Sequence, residues 1–584
     1  MKKTLCIITA SVALLACNDD FLERYPQTSI VEKNFFKTVA DLETYSNQFY
    51  DYLYVENIDR NTDNTTIEKG NIRSLMLGTI TADNAGGWDW GSLRAINTLL
   101  DNSLNIEGDD LEINKFKAVG KFFRARFYID KVKTYSDVPW YGKVLTDTDI
   151  DLLYKARDTR EIVVDSIIAD LEYATKYMGE SKHKTRFSKW AAFTELARFC
   201  LYEGTYRKYH EGEADLHVVK TPEYFLNKAI AAASEVMESK KFDIYSTSNF
   251  DTDYGSLFKS YELNDNCEVI MYLAHEENKR ENNSGKVLDY ENGISRSFVD
   301  SYLYKDGSFV PRSVTDTLQI NYIFENRDPR LKQSIMYPGY VLYKIRAHKL
   351  PINKTGGYGQ IKFLPDESKN HLAIYVSAST SLPLYRYAEL LLIYAEAKAE
   401  MGELTQADLD KTINVLRRRA GMPNLFMNPP IDPMMAEMYN NIKSTQSAEL
   451  LEIRRERNIE LFAEGFRYDD LMRWKMGKVY EFPQQGIYVP KSGLVDITGD
   501  GSPDYYICDT DENIPSDLPG DISIEITSKS NIPYFLEYGD HGHIMFKAEK
   551  NGLGSFVEPK YYYRPVPTSQ LNLNKNLKQI FDWD

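Results

Sequence analysis

The sequence predicts a mostly α fold of packed helix pairs that carries long loops and small β-hairpins. Three observations predict it. Apolar residues recur at three- and four-residue spacing in segments along the whole chain. Two of these segments are rich in small residues and are followed closely by a second helical segment. Between the helices lie stretches rich in Asn, Gly, Pro and Tyr, with only short strand-like runs.

In chain order the spacing predicts helices over Asp41–Tyr54, Ser92–Leu104, Asn114–Thr134, Arg160–Met178, Ser188–Tyr206 and Pro222–Ser239. It predicts further helices over Tyr387–Met401, Gln406–Ala420 and Ser447–Ala463. Ala191–Gly204 pairs with Tyr224–Lys240, and Leu390–Gly402 with Ala407–Ala420. In the first member of each pair, alanines (Ala191, Ala192, Ala197; Ala395, Ala397, Ala399) let a neighbour pack closely and a glycine closes the helix. The arrangement resembles degenerate tetratricopeptide repeats. Lys241–Gly359, Asn424–Ala448 and Gly477–Pro567 read as long loops and small hairpins set on the helical scaffold. Their aromatic content argues against disorder.

The N-terminus carries an export signal. Lys2 and Lys3 precede the apolar run Thr4–Ala13, and Leu14-Leu15-Ala16-Cys17 places a cysteine behind a small residue. The run is too short to span a bilayer and is flanked for cleavage. This segment resembles a bacterial lipobox, in which Cys17 is the lipidated first residue of the mature protein. Residues 1–16 are then the signal peptide and 17–584 one domain. Its loop-rich ligand-binding region covers residues 241–380 and 477–567. The acidic Asn18-Asp19-Asp20 resembles a surface-export signal. No other apolar run has the length of a membrane span.

A net charge of -16 argues against nucleic acid, which needs a basic patch, and against a surface drawn to anionic lipid. The 42 tyrosines suit ligand surfaces and half-buried positions alike. Beyond Cys6 and Cys17 only Cys200, Cys267 and Cys508 remain, so there is neither a disulfide framework nor a CxxC zinc pattern.

Ordered motifs then carry a family resemblance. They begin with Asp20-Phe21-Leu22-Glu23, Pro26, Phe35-Phe36, and Trp90 with Ile96 and Asn97. Phe123-Arg124-Ala125-Arg126 follows, with Asp137-Val138-Pro139, where Ser136 stands in place of the usual glycine. Next come Arg327-Asp328-Pro329-Arg330, Pro338-Gly339, Arg386-Tyr387-Ala388-Glu389, Tyr394-Ala395-Glu396-Ala397 and Arg419-Ala420-Gly421-Met422. The block Glu456-Arg457, Glu460-Leu461, Glu464-Gly465, Arg467, Asp470-Leu471, Arg473-Trp474 and the segment Arg564–Pro567 with Asn574 complete the series. In order and spacing the chain resembles the SusD/RagB-like outer-membrane lipoproteins of Bacteroidetes. The resemblance implies a SusD-like, mostly α fold on the outer face of the outer membrane. It also implies that the protein caps a SusC-like TonB-dependent transporter, binds glycans before import and is not an enzyme.

Each candidate chemistry has a structural alternative. Glu456, Glu460 and Glu464 place carboxylates on one helical face, whereas a glycosidase needs two facing each other across a sugar. With Arg454, Arg455, Arg457, Arg467 and Arg473 beside them, they read as an ion-pair network, as do Arg124, Arg126 and Arg417–Arg419. His541 and His543 lack a third ligand for a catalytic zinc. Gly356–Gly359 lacks the lysine of a phosphate loop. Asp496, Thr498, Asp500 and Asp504 with Gly501 match the first part of an EF-hand-type calcium loop, without its final glutamate. They match an Asx- and Gly-rich turn equally.

For ligand binding the leading segment is Ala82–Trp90. Apolar sugar faces stack on indoles, so Trp88, and behind it Trp90, are the platform candidates, with Arg73 and Asn84 as hydrogen-bonding partners. Their alternatives are packing for Trp90 and an ordinary loop aromatic for Trp88. Tyr304 and Tyr358, with Tyr322 and Tyr340, are further platform candidates. The expectation is a surface glycan-binding lipoprotein with no certain cofactor and calcium as the one candidate. The competing readings are a peptide- or protein-binding lipoprotein of the same fold and, behind it, a surface glycosidase.

Overall fold

The structure, a computed structural model, describes residues 35–65, 71–282, 293–342, 346–347, 350, 352–365, 378–497, 499–508, 514–526, 534–546 and 552–583. Cys17, with the export signal, lies outside them, as does Thr498.

Among the described residues, the α-helices of seven residues or more are α1 (Val39–Ser46), α2 (Gly91–Asn102), α3 (Asp110–Tyr135), α4 (Arg160–Tyr177) and α5 (Lys189–Tyr209). They continue with α6 (Pro222–Glu238), α7 (Tyr387–Met401), α8 (Ile413–Arg419), α9 (Ser447–Glu460) and α10 (Arg467–Arg473). The fold is mostly helical, as the periodicity predicts. Successive helices stack in a row, α2 on α3, α3 on α4, α4 on α5, α5 on α6, α6 on α7, and α7 on α9. Their facing sides form the first hydrophobic core, with Phe122, Ile167, Leu171, Leu226, Leu390 and Ile453.

Three helical expectations are corrected. Gly204 does not close its helix but lies inside α5, where a Cβ would stand 3.0 Å from Leu226; the missing side chain lets α6 approach. Gly402 does close α7, in the left-handed conformation at φ 73°. The segment Gln406–Ala420 is two helices, broken at Thr412 (φ -125°, ψ -92°). Finally, α9 stops at Glu460 and Ala463 has φ 60°, so Glu464 is not on the helical row of Glu456 and Glu460.

The loop-rich regions are also more than loops on a scaffold. Val269–Leu273 pairs antiparallel with Leu382–Arg386, a long-range contact rather than a hairpin. Gly542–Phe546 is the central strand between Gln485–Val489 and Tyr534–Leu536. Tyr505–Cys508 pairs antiparallel with Gly493–Val495, as a hairpin would, and parallel with Ser523–Ile526. These strands and short helices bury a second core of Phe258, Phe298, Tyr302, Tyr358, Ile487 and Ile544. A third core, with Tyr206, Leu471, Trp474, Phe556 and Tyr563, docks the C-terminal segment on α5 and α10.

Helix α9 touches all three cores, through Leu450 and Ile453, Ile459, and Leu451. Its charged side chains are buried as well. Glu460 receives Arg419 at 2.6 Å, Arg386 at 2.8 Å and Arg330 at 3.0 Å. Burial alone would raise the Glu460 pKa, but the three guanidiniums overcome it and hold the carboxyl well below its usual range. Arg386 also binds Glu268 and Glu464, and Arg417 joins Glu452 to Glu456. The glutamates read as an ion-pair network are therefore inside one, and Arg124–Asp170 and Arg126–Glu195 are further pairs.

Ser136 caps α3 at φ 61° and is fully buried. A side chain there strains the backbone, whereas glycine adopts positive φ freely. Ser136→Gly should stabilise the protein by about 1 kcal/mol, read as a higher urea midpoint. A lower midpoint would show that the serine is accommodated without strain.

Candidate functional site

A cleft of about 950 Å³ opens beside α3. The C-terminal half of α3 forms one wall through Phe127, Asp130, Lys131 and Thr134, at helical spacings that put them on one face. The glycine-rich loop adjoining α3 forms part of the rim through Asn84, Gly86, Gly87 and Asp89. Tyr54, Glu56 and Asp59–Thr62, from the chain leaving α1, form a third side, with Gly465, Tyr468 and Asp469 at its end.

Polar contacts from α3 hold the loop in place. Lys131 Nζ donates to the Gly87 carbonyl at 2.6 Å and the Tyr135 hydroxyl to the Gly86 carbonyl at 2.8 Å. Gly87 has φ 86°, and a Cβ on it would meet the Tyr135 hydroxyl at 3.0 Å. The far end of the molecule braces the loop, since Thr568 donates its N–H to the Ala82 carbonyl and its hydroxyl to Asp83.

The candidate ligand residues are dispersed. Asn84 lines the cleft, but its amide spans its own loop, accepting from Thr81 N and donating to Thr79 O. Trp88 and Trp90 are half-buried and meet at 5.5 Å with their planes 78° apart, so they make no single flat platform. Trp88 packs edge-on against Tyr135, a cleft residue. Trp90 packs among Phe127, Tyr128 and Tyr141. Arg73 donates to the Gly552 carbonyl and does not line the cleft. Tyr358 is fully buried in the second core and presents no face to a ligand; Tyr340 is buried there too. Tyr304 is half-buried against the Arg327 guanidinium, away from the cleft lining.

The aromatics that do line the cleft are Tyr54, Phe127, Tyr135, Tyr468 and Tyr562. Tyr54 is the most open of them, 67% exposed. Its only sequence signal was a place at the end of a predicted helix.

Asp130 opens to solvent but is surrounded by protein atoms in the cleft, and that desolvation raises its pKa despite the opposing charges of Arg126 and Lys133. Burial likewise raises Glu56 and lowers Lys131. Asp59 is pushed up to about 6 by burial, against hydrogen bonds from Asn64 and the Ala463 amide.

In the proposed calcium loop, Asp496 accepts from the N–H groups of Gly499 and Gly501, Asp500 from Ser502 and Asp504 from Ile497. That is the geometry of an Asx turn closed on its own backbone. No cluster of three or more His, Cys, Asp or Glu positioned to hold a metal ion exists among the described residues. His541 pairs with Asp540, while His543 lies between Glu537 and Arg296.

Residues 267–583 match the family described as SusD family. The chain belongs to the SusD family. Residues 21–201 match a second family, described as starch-binding associating with outer membrane. The chain is similar to SusD-like protein P2 of Formosa agariphila, 24% identical across 82% of this chain and 92% of the relative. It is 23% identical to a SusD-like protein of Bacteroides ovatus, over 81% of this chain and 82% of that one. Two solved structures from Bacteroides fragilis share the SusD fold. One is a SusD-like protein with TM-score 0.68 and 19% identity, covering 95% of this chain and 99% of its own. The other is a SusD-like carbohydrate binding protein with TM-score 0.65 and 19% identity, covering 93% and 100%. No helix among the described residues is long and apolar enough to cross a membrane.

Asp59 gives the site a pH signature. Its folded pKa of about 6 stands above the ordinary 3.8, so its contribution to stability is full below pH 4 and is lost as pH rises through 6. Asp59→Asn does not titrate. Its melting temperature should gain on the parent's between pH 4 and 7, and the difference should then stay constant at higher pH. A difference independent of pH would contradict the burial assigned to this carboxyl.

Proposed function

We propose that this protein is a cell-surface glycan-binding lipoprotein. It captures oligosaccharides and delivers them to a SusC-like TonB-dependent outer-membrane transporter for import. The single observation that carries the reading is the cleft, whose size suits a small-molecule ligand. Aromatic rings and polar groups both line it, and sugars need both: rings for their C–H faces and acceptors or donors for their hydroxyls. Family membership adds weight. One matching family is described as starch-binding, and a solved structure with the same fold is a SusD-like carbohydrate binding protein.

In this reading the lipid on Cys17 anchors the mature protein to the outer membrane, facing outwards. Trp88 acts on the ligand by seating Tyr135 at the cleft rim, 4.9 Å away. The protein binds without cutting. Glu456, Glu460 and Glu464 are engaged by buried cations, which leaves them closed to a sugar. A calcium ion in the Asp496–Asp504 loop would be structural, away from the cleft lining.

The test is calorimetry of a soluble form lacking residues 1–17 against plant, host-mucin and bacterial polysaccharides, with each mixture assayed afterwards for released sugars. Saturable binding without products is expected, and Trp88→Ala should weaken it. Released products would establish an enzyme instead. Separately, Cys17→Ala in the full-length chain should abolish palmitate labelling and free the protein from the membrane fraction. Retained labelling would refute the lipid anchor.

A further inference from the structure

We infer that the cleft takes an uncharged, hydroxyl-rich glycan, with one sugar ring on Tyr54 and ligand hydroxyls donated to the carboxylate of Asp130, and that it turns polyanionic glycans away. The inference rests on the glycan-binding reading above and narrows its ligand class.

The argument is an account of which polar groups in the cleft are already used. Each cation of the lining has a partner inside the protein. Lys133 binds Asp469 at 2.6 Å. Lys131 donates to the Gly87 carbonyl at 2.6 Å and lies over the rings of Trp90 and Phe127. Arg60 pairs with Glu56 at 3.9 Å. Arg564 points at the carbonyls of Tyr561 and Tyr563. Most of the positive charge that would greet a sulfate or uronate is therefore committed elsewhere, and the half-exposed Arg60 has the Glu56 carboxylate beside it.

One acceptor is in the opposite condition. Asp130 is exposed on the cleft face of α3, and its carboxylate makes no hydrogen bond or ion pair among the described residues. The nearest cations are turned from it, Arg126 to Glu195 and Lys133 to Asp469. Asp59 also lines the cleft, but it is 1% exposed, Asn64 donates to its Oδ2 at 2.7 Å, and its Oδ1 has no surface open to a ligand. Asp130 is therefore the carboxylate left open to a ligand's donors. An ionised carboxylate only accepts, so the ligand must bring O–H or N–H groups. Neutral sugars bring many. Sulfates and uronates bring further acceptors and a like charge.

Tyr54 supplies the stacking surface. It is 67% exposed on a chain whose large apolar side chains are mostly buried, and it borders the same cleft as Asp130. The two sense each other electrostatically, since Asp130 contributes to the raised Tyr54 pKa after burial. An aromatic face beside an open carboxylate offers one sugar both its C–H contact and its hydroxyl acceptor.

The experiment uses the soluble form without residues 1–17 in calorimetry and affinity electrophoresis. The neutral probes are starch, galactomannan and arabinoxylan; the anionic probes are homogalacturonate, alginate and chondroitin sulfate. Binding is expected among the neutral probes and absent from the anionic ones. Tyr54→Ala should weaken it at least tenfold, Tyr54→Trp should retain it, and Asp130→Ala should weaken it at least tenfold. Both residues are exposed, so unchanged melting temperatures will separate lost contacts from lost fold. Binding of an anionic probe would overturn the ligand class while leaving the glycan-binding reading intact. Neutral binding indifferent to both alanine variants would overturn the site. Silence towards every probe would overturn the glycan-binding reading and this inference together.

Discussion

The carboxylate of Glu460 is the point on which the structure turns. It is fully buried at the C-terminal end of α9 and receives three guanidiniums, from Arg330, Arg386 and Arg419. Those arginines come from three distant parts of the chain, so one side chain ties the loop-rich region, the strand before α7 and the end of α8 together. An assembly of this kind is held by mutual necessity. Each charge is costly to bury alone, and removing one partner of a buried pair costs about 3–5 kcal/mol because the others are left unmatched. The cluster is thus better understood as fixing one arrangement of three cores than as adding net stability.

The same network reaches the cleft. Arg386 joins Glu460 to Glu464, and Gly465 beside it lines the cleft. Asn458 of α9 and Asn64 hydrogen-bond to each other, and Asn64 holds Asp59. Arg467 clasps Asp63 through two hydrogen bonds of 2.7 and 2.6 Å. The segment that carries Asp59 and the turn that carries Gly465 are both set by α9 and its neighbours. A rigid helical stack thereby presents a loop-built, chemically adaptable rim, which is how one fold can serve many ligands.

The fold was legible in the sequence because its signals are local or sit in the buried network. Helical periodicity located α2 to α7 closely. The motifs that carried the family resemblance, among them Arg330, Arg386, Glu460, Arg467 and Arg473, are buried ion-pair residues. What the sequence hid was long-range. Nothing local says that Val269–Leu273 pairs with Leu382–Arg386, or that residues 254 to 546 close a second core over Tyr358. The same reasoning explains the site. The Trp88–Trp90 loop borders the cleft, yet its indoles pack against the body of the protein. Tyr54 and Asp130 look ordinary in sequence, as a helix-end tyrosine and one more acidic helical residue. Only the fold shows that they share an opening.

The central claim is that the Glu460 cluster holds the cleft in shape from a distance. Hydrogen–deuterium exchange of Glu460→Gln against the parent tests it most directly. The account predicts faster exchange in residues 57–65 and 462–470, together with the segments around Arg330, Arg386 and Arg419, while α2 to α4 stay protected. Exchange altered only within a turn of residue 460, or not at all, would contradict it.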